Sequence, residues 1–139
     1  IRSLLEKGNL KKANKLLTRN WTIEGIVQRG RQLGKKIGFP TCNIDINDYV
    51  IAKPGVYSVK VNQKNIKKSH KAIANLGYRP TFKQKKILLE VHIFNFSGNL
   101  YNKHLSVEFV KFIRKEKKFK DVNELRKQIE SDLKIAKQN

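Results

Sequence analysis

Acidic residues are scarce in this chain. Eleven Asp and Glu stand against 31 Lys and Arg, a formal charge of +20 over 139 residues, so the molecule carries a field that draws in polyanions. Cysteine is almost absent. The single Cys42 excludes a disulfide within the chain, and three scattered histidines do not make a zinc signature. No apolar run approaches the roughly 20 residues of a membrane-spanning helix, and no charged-then-apolar signal segment opens the sequence. Methionine is missing altogether. With Ile1 as the first residue, the sequence reads as a piece of a longer polypeptide. What is present, 39% apolar and 30% charged residues, is a globular balance, one domain in length, expected in the cytoplasm.

The basic charge admits three readings: a nucleic-acid surface, a site for ATP or another phosphorylated small molecule, or a lysine-rich composition with no consequence beyond solubility. Most of the cations are Lys, spread over every segment. A nucleic-acid site calls instead for a clustered basic stripe with aromatic side chains placed to stack on bases. A background field fits the sequence better.

Periodicity then outlines the elements. Asn9 can cap a short helix whose Leu10, Ala13, Leu16 and Leu17 recur at helical spacing. Thr22 to Gln28 is rich in β-branched residues, and a glycine-rich loop follows from Arg29 to Thr41. Gly55 to Val61, Lys71 to Leu76, Ile87 to Phe96 and Leu105 to Ile113 read as strands, with turns at Asn62 to Lys64 and Gly77 to Pro80. Asp121 and Glu124 form a capping-box-like pair. The helix they open has an apolar stripe of Val122, Leu125, Ile129, Leu133 and Ala136. Strands at short spacing with one flanking helix predict a mainly β fold, a small antiparallel barrel with a C-terminal helix packed on it. Functional residues are expected on loops at one rim.

Two places can carry chemistry. Between Asp48 and Glu108 the only acidic residue is Glu90. Strand alternation puts Ile87, Leu89, Val91 and Ile93 on one face and Leu88, Glu90, His92 and Phe94 on the other. A barrel interior takes the apolar face, leaving Glu90 outside among Leu and Phe. Partial desolvation there favours general-base work; the alternative is an ion pair with a lysine. The second place is Gly30 to Asn43. Gly30, Gly34 and Gly38 permit turns whose amides converge on phosphate, and Lys35 and Lys36 add charge. Thr41 and Asn43 offer oxygen ligands of the kind magnesium takes beside substrate phosphates, and in extended backbone they share a face. The spacing is not that of the P-loop, and a rim loop needing glycine for its turns is the alternative. Together the two places point to phosphoryl transfer.

The same residues resemble those of the riboflavin kinase family. Gly38-Phe-Pro-Thr-Cys-Asn43 is similar to its G-[FYI]-P-T-A-N ending, and Pro54-Gly-Val-Tyr57 to its P-x-G-V-Y strand. Ala74-Asn-Leu-Gly-Tyr-Arg-Pro-Thr-Phe82 resembles N-I-G-x-R-P-T-F. Glu90-Val-His-Ile-Phe-Asn-Phe-Ser-Gly-Asn-Leu-Tyr101 resembles E-x-H-x-x-D-F-x-G-D-L-Y. Phe112-Ile-Arg-Lys-Glu-Lys-Lys-Phe119 resembles L-R-x-E-x-x-F, and Leu125, Gln128, Ile129 and Asp132 fit L-x-x-Q-I-x-x-D. The resemblance implies a six-stranded antiparallel Greek-key barrel over 21–139 that converts riboflavin and ATP to FMN and ADP with Mg2+. Residues 1–20 look like the helical linker that follows an N-terminal nucleotidyltransferase domain in bacterial bifunctional enzymes. FMN adenylyltransferase activity is expected only in such a longer parent chain.

Carried over by position, the resemblance makes Glu90 the general base for the riboflavin 5′-hydroxyl and Thr41 and Asn43 the magnesium ligands. Gly30, Gly34, Lys35, Gly38, Thr41 and Asn43 belong to the ATP site, and Arg114, Glu116 and Phe119 to the flavin site. Cys42 stands for the usual Ala and is expected to pack as a small apolar group. Asn95 and Asn99 replace common Asp residues, and Lys35 meets phosphate without an arginine fork. The expected partners are riboflavin and ATP, with no specific nucleic acid and no membrane, for a module that is monomeric in isolation. The alternative from another class is a non-catalytic basic β-barrel that binds nucleic acid.

The charge reading is testable. Binding to a random oligonucleotide should be sequence-independent and should collapse as salt rises toward about 0.15 M, where the Debye length is about 8 Å. Tight oligonucleotide binding that survives this salt, with no flavin bound, would favour the nucleic-acid alternative.

Overall fold

The computed structural model describes residues 2–28, 42–45, 52–63, 68–80, 85–94, 100, 102–116 and 120–137. Two short helices, α1 (Arg2–Glu6) and α2 (Leu10–Leu17), precede six strands. The strands are β1 (Thr22–Gln28), β2 (Cys42–Asp45), β3 (Gly55–Gln63), β4 (Ser69–Pro80), β5 (Lys85–Ile93) and β6 (His104–Arg114). A last helix, α3 (Val122–Lys137), follows. All strand pairings are antiparallel, and the order β1-β2-β5-β4-β3-β6 closes on itself as a barrel. Strands β3, β4 and β5 form a meander, and β6 returns to lie beside β3, which is the Greek-key order.

Alternation fills the barrel. Tyr57, Val59 and Val61 of β3, Leu76 of β4, Leu89 and Val91 of β5, and Leu105, Val107 and Phe109 of β6 are all fully buried. Aromatic rings bind one side of this core together. Trp21 and Phe109 lie 4.8 Å apart between centroids, Phe109 and Tyr57 5.0 Å, and Tyr57 and Phe112 5.2 Å. The buried Tyr57 hydroxyl donates to the Lys53 carbonyl at 2.6 Å, so its polar end is satisfied. Strand β3 enters through Gly55 at φ 154°. A Cβ there would collide with the Arg114 carbonyl and, at 2.7 Å, the Phe112 ring, so only glycine lets β3 and β6 approach this closely.

The N-terminal helices join the same core. Leu5, Leu10 and Ala13 are buried within the barrel's apolar cluster. Asn9 caps α2 by accepting from the Lys12 amide at 3.3 Å, as its sequence position predicts. The helix that Asn9 caps is preceded by the five-residue α1, and the two are separated at Gly8, whose φ is 79°. Asn14 ties α2 to the barrel. Its Nδ2 donates to the Phe109 carbonyl at 3.0 Å and to Asn20 Oδ1 at 3.1 Å, while its Oδ1 accepts from the Trp21 amide at 2.7 Å.

One sequence-based element is corrected. Gly77 to Pro80, expected as a turn, continues β4, with Gly77 opposite Leu88 and Pro80 opposite Lys85. Cross-strand pairing with β5 overrides the local turn chemistry, and Pro80 stands at the strand's last position, where a missing amide costs least. β2 spans only four residues, Cys42–Asp45, directly after the expected Arg29 to Thr41 loop. The expected turn at Asn62 to Lys64 yields β3 as far as Gln63, and the rest of it lies outside the described residues.

Replacing Asn14 with Ala should leave the Trp21 amide and Phe109 carbonyl without that partner and lower stability by about 1–3 kcal/mol. Denaturant titration should show an earlier midpoint with an unchanged slope. An unshifted midpoint would mean that α2 is held by its apolar side alone.

Candidate active site

The barrel's outer surface carries a polar row that crosses several strands. Asn43 of β2 is the direct cross-strand partner of Glu90 in β5. Glu90 is in turn the partner of Asn75 in β4. The row continues to Gln28 of β1 beyond Asn43, and through Val56 of β3 to Arg114 of β6 beyond Asn75. Directly opposed side chains on one face lie about 4.5–5.5 Å apart at Cβ. The amides of Asn43 and Asn75 therefore flank the Glu90 carboxylate. Asn43 and Glu90 are half-buried and Asn75 is exposed. The neighbours that alternate with them point inward: Ile44, Ala74, Leu76, Leu89 and Val91 are all nearly or fully buried.

Helix α3 covers only part of this outer face. Its Ile129, Leu133 and Ala136 pack with Val56, Ile73, Phe94 and Ile113 in a second apolar cluster. Lys137 Nζ stands 5.6 Å from the Phe94 ring centre. The helix begins as expected, with Asp121 Oδ1 accepting from the Glu124 amide at 2.8 Å and Glu124 Oε2 from the Lys120 amide at 3.2 Å. Buried against the barrel, Asp132 receives the Arg114 guanidinium, with Nε at 3.0 Å from both oxygens and Nη2 at 2.8 Å from Oδ2. Gln128 Nε2 donates to the same carboxylate at 3.0 Å.

Just past β6, Glu116 reaches the outer face beside the row, at Gly77. The Glu116 carboxylate lies against Gly77, in the space where any other residue would place its Cβ. Burial of this carboxylate tip pushes the Glu116 pKa up; Arg114 opposes the shift, and the negative charge of Glu90 adds to it. Glu90 and Glu116 thus share one electrostatic neighbourhood with Arg114.

The structure therefore brings together four residues singled out in the sequence: Asn43, Glu90, Arg114 and Glu116. Gly30, Gly34, Lys35, Gly38, Thr41 and Phe119, together with Asn95 and Asn99, lie outside the described residues. The rim-loop expectation is corrected for Asn43 and Glu90. They stand within strands and project from the barrel wall, because β2 and β5 alternate polar-out and apolar-in at these positions. Glu90 does fall on the outer face, as alternation predicts. Asn75 and Asp132 were held in the sequence only as parts of matching segments. Alternation alone turns Asn75 outward, but its partnership with Glu90 needs the register. Asp132 carried one local signal, an acidic side chain beside the apolar stripe of its helix and four residues after Gln128. Cys42 is half-buried against the core and burial pushes its thiol pKa up, which keeps it protonated and unreactive.

Among the described residues no group of three or more His, Cys, Asp or Glu side chains could hold a metal ion. The half-buried Asn43, an amide oxygen beside a carboxylate, fits a metal of another kind. Such an ion arrives with substrate phosphates and takes few ligands from the protein.

The Glu116 environment gives a pH prediction. A carboxyl with a raised folded-state pKa holds its proton more tightly folded than unfolded. Its contribution to stability is therefore full at low pH and lost as pH rises through the folded-state value. The variant Glu116→Gln should gain stability relative to the parent as pH rises above the ordinary carboxylate range. Parallel stability profiles for the two proteins would show that Glu116 does not titrate in this environment.

Comparison with known proteins agrees with this fold. The family model described as Flavokinase: Riboflavin kinase matches residues 17–139. A bifunctional riboflavin kinase/FMN adenylyltransferase of Haemophilus influenzae is 43% identical over 137 residues, covering 99% of this chain and 44% of that protein. The protein of the same name from Bacillus subtilis is 38% identical over 136 residues, 95% of this chain and 42% of its own length. The chain thus spans less than half the length of these relatives. A Streptococcus pneumoniae crystal structure named as a macrolide-efflux protein superposes with a TM-score of 0.91 at 32% identity, covering 98% of this chain and 44% of that one. Among the described residues of the present chain, no helix is long and apolar enough to cross a membrane. The crystal structure of riboflavin kinase from Trypanosoma brucei shares the fold, with a TM-score of 0.58 at 20% identity over 84% of this chain and 77% of that one. With the family model matched along most of its length, and relatives of this kind along nearly all of it, the chain belongs to the riboflavin kinase family.

Proposed function

We propose that this chain transfers the γ-phosphoryl group of ATP to the 5′-hydroxyl of riboflavin, giving FMN and ADP, with Glu90 as the general base. The observation that carries the reading is the row in which the pairings of β2 and β4 with β5 set Glu90 between Asn43 and Asn75. The Glu90 carboxylate takes the hydroxyl proton as the substrate oxygen bonds to the γ-phosphorus, and the bond from that phosphorus to the ADP oxygen breaks. Positioning and charge stabilisation supply most of such a reaction. Asn43 and Thr41 would hold a divalent cation, assigned as Mg2+, which when bound offsets the phosphate charge. Gly30, Gly34, Lys35 and Gly38 are the ATP-phosphate residues on the sequence match. Asn75, on the other flank of Glu90, is placed to orient the substrate hydroxyl.

The flavin approaches from the side of Arg114 and Glu116, and the nucleotide from the side of Asn43. The family match lends no support to the alternative of a non-catalytic nucleic-acid barrel. Residues 1–20 are proposed as a linker to a further domain, which in the relatives would carry the adenylyltransferase activity that their names state.

Removing the proton acceptor while keeping its shape, Glu90→Gln should lower turnover by about 100- to 10,000-fold and leave flavin and ADP binding intact. Turnover within a factor of about three of the parent would remove Glu90 from the base role. The metal assignment is tested separately. Thr41→Ala and Asn43→Ala should each raise the magnesium concentration required and weaken MgATP more than riboflavin, since each deletes an oxygen from an ion with few protein ligands. Normal MgATP binding in both variants would place the metal elsewhere.

A further inference from the structure

The fork between Arg114 and Asp132 is more specific than holding a helix in place requires. Helix α3 is already seated by Ile129, Leu133 and Ala136 against Val56, Ile73 and Phe94. A buried ion pair adds little stability over apolar residues of similar volume, because desolvation offsets its attraction. What a bidentate pair supplies is orientation. Asp132 is 1% exposed, and its carboxylate accepts from Arg114 Nε and Nη2 and from Gln128. The remaining guanidinium nitrogen, Nη1, donates to the Lys115 carbonyl at 3.0 Å. The fork therefore fixes both the side chain of the last β6 residue and the backbone that follows it. Two residues later Glu116 lays its carboxylate on Gly77, on the same outer face as Asn75 and Glu90.

We infer that Asp132, supported by Gln128, is a positioning residue for the flavin half of the site. It acts through Arg114 to set the 114–116 segment, whose Glu116 rests on Gly77 beside the row that contains Glu90. Arg114 then serves the flavin site mainly as an anchor for the backbone at Lys115 and Glu116. The row gives the effect a direction. Asn43 lies on one flank of Glu90 and Arg114 on the other, so releasing the fork should disturb riboflavin and spare MgATP. This inference rests on the proposed riboflavin kinase activity.

The test uses the whole chain and compares Asp132→Asn, Arg114→Lys and the paired replacement Arg114→Met with Asp132→Leu. Each should raise KM for riboflavin by roughly 10- to 100-fold, the scale on which small misplacements act, with KM for MgATP within about twofold of the parent. The Asp132→Asn and Arg114→Lys effects should not add when combined, because both break one interaction. The paired apolar replacement keeps the result decisive even where Asp132→Asn fails to fold, since it removes the buried charges together and restores packing. If that folded variant has the parent's KM for riboflavin, the fork is only structural and the inference is overturned. An equal rise in both KM values also overturns it. A parent that forms no FMN and binds no riboflavin, read by flavin fluorescence, would refute the kinase reading itself. A parent active on riboflavin beside unaltered variants would refute only the role of Asp132.

Discussion

Everything at the candidate site depends on the register in which β5 pairs with its two neighbours. A slip of one residue would turn Glu90 into the barrel, among Ile44, Leu76 and Phe109, and would expose Leu89 or Val91 in its place. The apolar interior forbids this. Burial of Leu89 and Val91 on one side of β5 therefore fixes the position of Glu90 on the other, and the same holds for Ala74 and Leu76 beside Asn75 and for Ile44 beside Asn43. The candidate row is in this sense the outer face of the core, and its backbone is held by the packing behind it.

A polar row on a barrel exterior would ordinarily be solvated and mobile. Two elements change that here. Helix α3 covers the face over Val56 and Ile73 and stops short of Asn75, Glu90 and Asn43. Just past β6, Glu116 rests its carboxylate on Gly77, beside the row. The result is a half-buried Glu90 between a half-buried Asn43 and an exposed Asn75. The +20 charge gives the row one cation, Arg114, and that guanidinium is paired with Asp132.

Much of this was legible in the sequence, and the physical reasons are particular. Alternation in the strand containing Leu89, Glu90 and Val91 was strong enough to separate the faces, and the cap at Asp121 with the stripe through Ile129 and Ala136 located the last helix. The motif match implied the barrel topology and the proposed roles of Asn43 and Glu90. Four features escaped. β2 is only four residues long, too short for a periodicity. Gly77 to Pro80 carries turn residues that β5 nevertheless recruits into a strand. The Asn75–Glu90 juxtaposition is a property of register between segments fifteen positions apart, with no local signature. The Arg114–Asp132 fork joins a strand end to a helix interior, and each partner alone reads as an ordinary surface charge.

The central claim is that this chain, as it stands, phosphorylates riboflavin. Its most direct test is chromatographic identification of product after incubating the 139-residue protein with riboflavin, ATP and magnesium. The account predicts FMN and ADP formed in equal amounts, with no FAD. A folded protein that binds riboflavin and MgATP yet yields no FMN would contradict it.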